Sequence, residues 1–262
     1  MTVAERLSAL RKCMQDKHID FYIVPTADFH QSEYVGEHFK ARAYITGFTG
    51  SAGTAVITLH DAKLWTDGRY FLQAAKELEG TGVTLMKMFE PGVPTIEEYL
   101  EAELKAGQTL SFDGRVVSVG EGDEYASIAR KNGAKLDYQE DLIDAIWTDR
   151  PPLSDKPAWF LAEKYSGEST ASKLSRIRRE TGDAGCDAHI VSTLDDICWT
   201  LNIRGNDIDF FPLVLSYAII KKDSFELYID ERKLDDKLKS ILEKDGVVLH
   251  PYNDIYEDVK KL

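Results

Sequence analysis

A repeated order of predicted elements constrains the fold of this chain more than any other feature. Helix, strand, strand pair, helix, strand and helix follow one another over residues 2–104 and again over 169–262. The chain is therefore predicted to be a duplicated α/β unit, with each copy a mixed β-sheet flanked by helices. Three pairs of matching segments hold nearly one offset, of 167, 163 and 164 positions: 20–24 with 187–191, 65–69 with 228–232, and 82–85 with 246–249.

A proline-rich segment separates the two copies. Pro151, Pro152 and Pro157 lie close together, and the interior of a helix or strand does not tolerate such a density of proline. This segment is predicted to be the domain linker. We therefore expect a first domain over residues 1–150 and a second domain over residues 151–262.

The second copy is shorter than the first. Copy one continues beyond residue 104 into an apolar run at 109–112 and further elements that end near Trp147. Copy two ends at Leu262, inside the helix that corresponds to 95–104 of copy one. The chain is thus predicted to be the front part of a longer protein, with its second domain truncated.

The balance of charges excludes several classes of partner. Lys and Arg number 32 against 45 Asp and Glu, and this net charge of −13 argues against nucleic acid and anionic membranes as partners.

The sequence also indicates where the protein is located. The chain contains no run of about 18 apolar residues, the length needed to cross a bilayer, and its start lacks the pattern of a signal peptide. Cys13, Cys186 and Cys198 are widely spaced, which indicates buried thiols in a reducing compartment. A cytoplasmic protein is expected.

Local patterns predict the elements around the most polar turns. Aromatic and β-branched residues bounded by glycines predict strands at 44–48 and 55–59. Asp67 is predicted to cap a helix from Arg69 to Glu79, because its carboxylate can accept hydrogen bonds from the N–H groups of the first turn. A last helix of copy one is predicted near residues 142–147.

A glycine-rich stretch at 47–54 has some features of a phosphate-binding loop. Successive small residues expose backbone N–H groups, which an anion can accept. The stretch lacks the lysine of a P-loop, however, and it opens a strand instead of a helix. The sequence therefore favours a tight turn beside closely packed strands over a nucleotide site.

Two groups of residues resemble metal ligands by residue type: Asp28, His30, Glu33 and His38, and Asp195, Asp196, Asp207 and Asp209. No helical spacing places two members of the first group on one face, so a polar surface loop is expected there. Two members of the second group fall in the first turn of a helix, where capping explains them. No metal ligand is therefore predicted. No catalytic residue is predicted either, because the six histidines accompany no nucleophile motif.

Arg69 stands out as a cation at the predicted start of a helix. There it would face the positive end of the helix dipole at a cost of up to about 1 kcal/mol, so a compensating role is expected. A local ion pair with Asp67 is the simpler explanation. Asp230 and Arg232 repeat the same spacing in copy two, which supports that explanation.

Seven segments of the chain match a known family in the same order along the whole chain: 30–34, 50–55, 65–75, 146–151, 193–199, 201–205 and 216–220. The third of these segments contains the motif Asp67-Gly68-Arg69-Tyr70. In these segments the chain closely resembles the three-domain Xaa-Pro aminopeptidases of the creatinase/prolidase superfamily.

This resemblance implies two creatinase-type α/β domains that precede a catalytic metallopeptidase domain absent from these residues. The family's enzymes bind two divalent metal ions in that third domain, and Mn²⁺ is the expected metal. No metal ligand is therefore carried over to this chain. Arg69 is carried over as a substrate-binding residue. The implied substrate is a peptide with proline in second position, and the implied assembly of the whole enzyme is a homodimer.

Two interpretations of function follow. In the first, the chain is the non-catalytic front portion of a cytoplasmic, metal-dependent Xaa-Pro aminopeptidase, where it shapes the substrate entrance and the dimer. It is then expected to be inactive alone. In the second, the chain is a naturally short scaffold or dimerisation module of the same fold, without enzymatic activity.

Overall fold

The structure, a computed structural model, describes residues 1–262 and divides into two compact units, residues 1–152 and 153–262. The first unit is domain one and the second is domain two. No helix in either domain has the length and apolar character needed to traverse a bilayer.

Domain one is a six-stranded mixed sheet covered by helices on both faces. Its strand order is β4-β3-β2-β1-β5-β6; β1, β2 and β3 are antiparallel neighbours and the remaining pairs are parallel. Its elements are α1 (Val3–Asp16), β1 (Phe21–Pro25), α2 (Ala41–Thr46), β2 (Thr54–Thr58), β3 (Ala62–Thr66), α3 (Phe71–Glu77), β4 (Thr84–Lys87), α4 (Ile96–Glu103), β5 (Thr109–Phe112), α5 (Val119–Lys131) and β6 (Lys135–Asp137).

Strand β1 shows how the sheet builds two cores. Successive side chains of a strand point to opposite faces, so Tyr22 and Val24 pack with helices α1 to α3 on one side. Phe21 and Ile23 pack with α4 and α5 on the other side. All four side chains are buried, as expected for a central strand covered on both faces.

Domain two repeats the first four strands of domain one in a four-stranded sheet of order β12-β11-β10-β8. A separate antiparallel pair, β7 with β9, has no counterpart in domain one. The elements are β7 (Trp159–Phe160), α6 (Glu163–Ser166), α7 (Thr170–Asp183), β8 (Ala188–Val191), α8 (Leu194–Leu201), β9 (Ile203–Arg204), β10 (Ser216–Lys221), β11 (Phe225–Ile229), α9 (Asp236–Lys244), β12 (Val247–His250) and α10 (Ile255–Asp258).

The two sheets share one register, which confirms the duplication predicted from sequence. The row of paired residues Ile23, Val56, Lys63 and Thr84 in domain one corresponds to a row in domain two. The offsets along this row are 167, 163, 163 and 164 positions, and the strand directions agree. The corresponding residues are Ile190, Ile219, Glu226 and Val248.

Residues 44–48, predicted as a strand, belong to a helix and its end. Helix α2 runs over Ala41–Thr46 and stops at Gly47, which has the left-handed φ of +80° typical of a helix C-cap. The β-branched and aromatic residues suit a strand locally, but burial of Ile45 against the sheet outweighs that preference. The strand prediction was therefore wrong for this segment.

Two smaller predictions were also wrong. Residues 142–147 form turns in place of a helix: the Asp141 carboxylate accepts from the N–H groups of Ile143 and Asp144 as a helix cap would, but the carbonyl of Ile143 then accepts from both Ile146 and Trp147 and no helix continues. Cys186 is exposed, although buried thiols were expected. It directly follows Gly185, beyond the end of α7, where the chain turns at the surface.

Candidate functional site

Arg69 lies in the turn between β3 and α3, not in the first turn of a helix. Helix α3 begins at Phe71, with Tyr70 at its N-cap, so the predicted helix start at Arg69 was wrong. The Asp67 carboxylate accepts the Arg69 N–H at 3.0 Å and thereby closes a turn instead of capping the helix. The helix dipole therefore gives no reason for a special role of Arg69.

The Arg69 guanidinium forms a bidentate pair with Asp67. Its Nε and Nη2 atoms each lie 2.9 Å from a carboxylate oxygen, and hydrogen bonds from Arg69 lower the pKa of Asp67. Arg69 remains 68% exposed, and a guanidinium carries five N–H donors. Two donors bind Asp67, so three are open to solvent. The bidentate pair also fixes the orientation of the guanidinium group.

Contacts around the turn hold it rigidly to the sheet. The Thr66 hydroxyl donates to the carbonyl of Ala52 at 2.7 Å, and the hydroxyls of Ser51 and Tyr70 lie 2.6 Å apart. Trp65 is 1% exposed. The Asp67–Arg69 pair is thus mounted on a well-packed strand end, which limits the positions that the guanidinium can reach.

A buried arginine organises the glycine-rich loop beside this turn. Arg42 donates from Nη1 to the carbonyl of Phe48 at 2.5 Å, from Nη2 to the carbonyl of Gly50, and from Nε to the Thr26 hydroxyl at 2.9 Å. Burial lowers the pKa of Arg42 to about 10, so the group stays charged at neutral pH. A Cβ on Gly50 would clash with the rings of Phe48 and Tyr70. The loop is therefore a tight turn.

The group Asp28, His30, Glu33 and His38 forms the expected polar surface loop only in part, with Glu33 exposed. Asp28 and His30 are buried, and the Asp28 carboxylate accepts from the N–H groups of His30 at 2.8 Å and Ser32 at 3.0 Å. A ring nitrogen of His38 lies 2.8 Å from the carbonyl of Pro151, and burial lowers the pKa of His38. Asp28 organises its own loop, which the pattern of residues did not reveal.

Domain two repeats the polar turn with a different continuation. Arg232 forms a bidentate pair with Asp230. The Asp155 carboxylate lies 3.7 Å from the Nη1 atom of Arg232. The next residue, Lys233, occupies the position of Tyr70 and is buried against Asp207, with Nζ and Oδ2 separated by 2.5 Å. Arg232 is therefore more fully paired than Arg69.

The acids of the second predicted group are dispersed. Asp195 and Asp196 lie in the first turn of α8, as expected, and the Thr193 hydroxyl donates to Asp196 at 2.6 Å. Asp209 is exposed and pairs with Lys156. Asp207 is instead buried, and its Oδ2 also accepts the N–H of Leu215 at 2.6 Å.

A cavity of about 460 Å³ lies at the edge of domain two where β11 and β12 end. Apolar side chains of Leu215, Ile229 and Tyr252 form its walls together with the turn 230–233. Neither this cavity nor any other part of the chain brings together three or more His, Cys, Asp or Glu residues in an arrangement that could hold a metal ion.

Comparison with known proteins identifies the two domains. The profile of the creatinase/prolidase N-terminal domain matches residues 6–146 and, in a second form, residues 149–262. A probable Xaa-Pro aminopeptidase P of Neurospora crassa is 44% identical over 100% of this chain and 39% of its own length. Aminopeptidase P2 of Arabidopsis thaliana is 39% identical over 100% of this chain and 38% of its own length.

A solved structure agrees with this similarity. The crystal structure of X-prolyl aminopeptidase from Caenorhabditis elegans, described as a cytosolic enzyme with a di-nuclear active site, superposes with a TM-score of 0.95 at 32% identity. The match covers 100% of this chain and 44% of that protein. The chain thus spans about two fifths of the length of these relatives, and it belongs to the creatinase/prolidase N-terminal domain family, with two copies of that domain in tandem.

Proposed function

We propose that the chain is the non-catalytic front portion of a cytoplasmic, metal-dependent Xaa-Pro aminopeptidase, which releases the N-terminal residue that precedes proline. The observation that carries this proposal is the 44% identity to an Xaa-Pro aminopeptidase P over the whole chain. The relatives extend well beyond the part that this chain matches, and the chemistry is assigned to that remainder.

The residues of this chain do not fit the dinuclear metal centre named for the Caenorhabditis elegans enzyme, because no suitable cluster of ligands exists in either domain. We therefore assign two divalent ions, with Mn²⁺ as the preferred metal, to the part of the enzyme outside residues 1–262.

The proposed contribution of domain one is substrate binding through Arg69. Its three open N–H donors suit a carboxylate or carbonyl oxygen of a peptide with proline in second position, and Asp67 fixes the orientation of the guanidinium group. In the proposed homodimer the end of β3 that carries the Arg69 turn borders the substrate entrance. The exposure of Arg69 and the rigidity of its turn support the role.

The isolated chain is expected to neither hydrolyse Xaa-Pro peptides nor bind Mn²⁺ tightly. Titration calorimetry with Mn²⁺ and a peptide-release assay on residues 1–262 measure both properties. Stoichiometric binding at micromolar or lower Mn²⁺ would contradict this assignment and return attention to the acids at 28–38 and 195–209.

Substitution of Arg69 by alanine in the full-length enzyme is expected to lower kcat/KM by about ten- to a hundredfold. A hydrogen bond to a charged group contributes about 1.5 to 3 kcal/mol, and its loss lowers transition-state binding accordingly. Fold stability should change little, because an exposed pair stabilises weakly. Steady-state kinetics and thermal unfolding provide the two measurements.

Arg232→Ala is the matched control for this substitution. Arg232 has the same Asp-x-Arg geometry in domain two, but it is not assigned to substrate. Equal kinetic losses in both variants, or a loss of stability without a kinetic effect in Arg69→Ala, would show that the pair with Asp67 is only structural.

A further inference from the structure

The two domains differ at the strand ends that border the cavity of domain two. In domain one the parallel pair of β3 and β4 extends to Thr66 opposite Lys87. In domain two the corresponding pair of β11 and β12 stops one step earlier, at Tyr228 opposite His250, and the chain turns at Pro251. The earlier end of β12 leaves room for the cavity of about 460 Å³, which both strand ends line.

The inner walls of this cavity are apolar and pre-formed. Leu215 and Ile229 are buried, and the ring of Tyr252 packs against that of Tyr217, with 5.2 Å between the centroids. Leu153 also lines the cavity. Its volume falls in the range of about 300 to 1,000 Å³ that is typical of small-molecule sites, which are mostly apolar with a few polar groups. The walls suit an apolar side chain of the size of that of leucine or phenylalanine.

Two opposite charges lie at the mouth of the cavity without a hydrogen bond between them. Nη1 of Arg232 is 3.7 Å from the Asp155 carboxylate, which is too long for a hydrogen bond, and the two side chains are 70% and 65% exposed. Asp230 binds the guanidinium through Nε and Nη2, so Nη1 keeps two N–H donors for a ligand. An exposed pair of this kind contributes little to stability, so a ligand can separate it at low cost.

The mouth and the walls together match one class of molecule. A carboxylate fits Nη1 of Arg232, an ammonium group fits the Asp155 carboxylate, and an apolar side chain fits the cavity. A free α-amino acid carries these three groups on one carbon atom. A ligand with a single charge would leave either Arg232 or Asp155 without its partner. The other acids that line the cavity are already paired, Asp230 with Arg232 and Glu231 with Lys239.

We propose that domain two binds a free apolar α-amino acid in this cavity, with the carboxylate on Arg232 and the ammonium group on Asp155. The site belongs to domain two alone, and its ligand is not the peptide substrate. Initial rates measured without added amino acid therefore do not depend on it. The inference does not require the proposed function. The reaction proposed above releases a free amino acid, however, so the ligand belongs to the same class as one of its products.

Titration calorimetry of residues 1–262 with L-phenylalanine measures the binding. One molecule should bind per chain, with a Kd below about 1 mM. L-Alanine should bind at least about tenfold more weakly, because it lacks the apolar surface of the phenyl ring. L-Phenylalaninamide lacks the carboxylate and N-acetyl-L-phenylalanine lacks the ammonium group, so each should also bind about tenfold more weakly than phenylalanine.

Two variants assign the charges of the ligand to their partners. Asp155→Asn should weaken phenylalanine binding about tenfold and leave the affinity for N-acetyl-L-phenylalanine unchanged, since that ligand has no ammonium group. Arg232→Gln should weaken phenylalanine binding and leave the affinity for L-phenylalaninamide unchanged. Asp209→Asn is the matched control and should change neither affinity, because Asp209 is an exposed acid that pairs with Lys156 and does not line the cavity.

Three results would overturn the proposal. The first is the absence of phenylalanine binding by a chain that thermal unfolding shows to be folded. The second is equal affinity for phenylalanine and its two derivatives, and the third is unchanged phenylalanine binding in both Asp155→Asn and Arg232→Gln. None of these results bears on the aminopeptidase assignment, which hydrolysis of Xaa-Pro peptides tests separately.

Discussion

Replacement of Lys233 by methionine is expected to destabilise domain two by about 3 to 5 kcal/mol. Lys233 is 1% exposed and lies 2.5 Å from Asp207, whose side chain is fully buried. Asp207 Oδ1 has no hydrogen-bond partner, so loss of the ammonium leaves a buried carboxylate with only the N–H of Leu215. Urea denaturation followed by circular dichroism gives the change in unfolding free energy.

Two further variants identify the cause of the effect. Exchange of both partners, Lys233→Met with Asp207→Asn, should recover most of the loss, because no buried charge then remains and the asparagine amide oxygen can still accept the N–H of Leu215. Lys239→Met breaks only the exposed pair with Glu231 and should cost less than about 1 kcal/mol. A Lys233→Met variant as stable as Lys239→Met would contradict the account of domain two.

Arg42→Leu is expected to cost domain one about 3 kcal/mol. The substitution removes hydrogen bonds to the carbonyls of Phe48 and Gly50, and it leaves these groups unsatisfied in the interior. The glycine-rich loop should then become mobile, with faster amide hydrogen exchange at residues 47–53. Denaturation and hydrogen exchange measure the two effects.

Arg11→Leu is the control for Arg42→Leu. Arg11 donates a single hydrogen bond to the carbonyl of Thr58 at 3.0 Å and should cost only about 1 kcal/mol. If both variants lose the same stability and the loop stays protected from exchange, Arg42 does not organise the loop.

The strands could be predicted because their apolar residues lie in short runs bounded by glycine, proline and polar turns. The run 109–112 was predicted to the residue, and the shared offsets predicted the shared register. Capping boxes fix the starts of α1 and α4 in the structure, where Thr2 and Thr95 each exchange two hydrogen bonds with a glutamate three residues later.

The errors arose where tertiary contacts override a local preference. The segment 44–48 has β-branched and aromatic residues, yet packing of Ile45 on the sheet makes it helical. Asp67 has the residue type of a helix cap, but its carboxylate binds Arg69 first. Competition between two local partners for one carboxylate cannot be resolved from spacing alone.

The candidate site was only partly visible in the sequence. Arg69 was selected, although the reason based on the helix dipole was wrong, and its ion pair with Asp67 was recognised as the alternative. Arg42 and Lys233 were missed because the residue type alone does not distinguish a buried arginine or lysine from a solvated one. The one available hint was the apolar context of Arg42, between Ala41 and Ala43.

Release of the first residue from matched Xaa-Pro and Xaa-Ala peptides by the full-length protein tests the central claim most directly. The account predicts release from the proline peptide alone, loss of activity after removal of divalent metal, recovery on addition of Mn²⁺, and no activity from residues 1–262 by themselves. Equal release from both peptides, or no release from either with Mn²⁺ present, would contradict it.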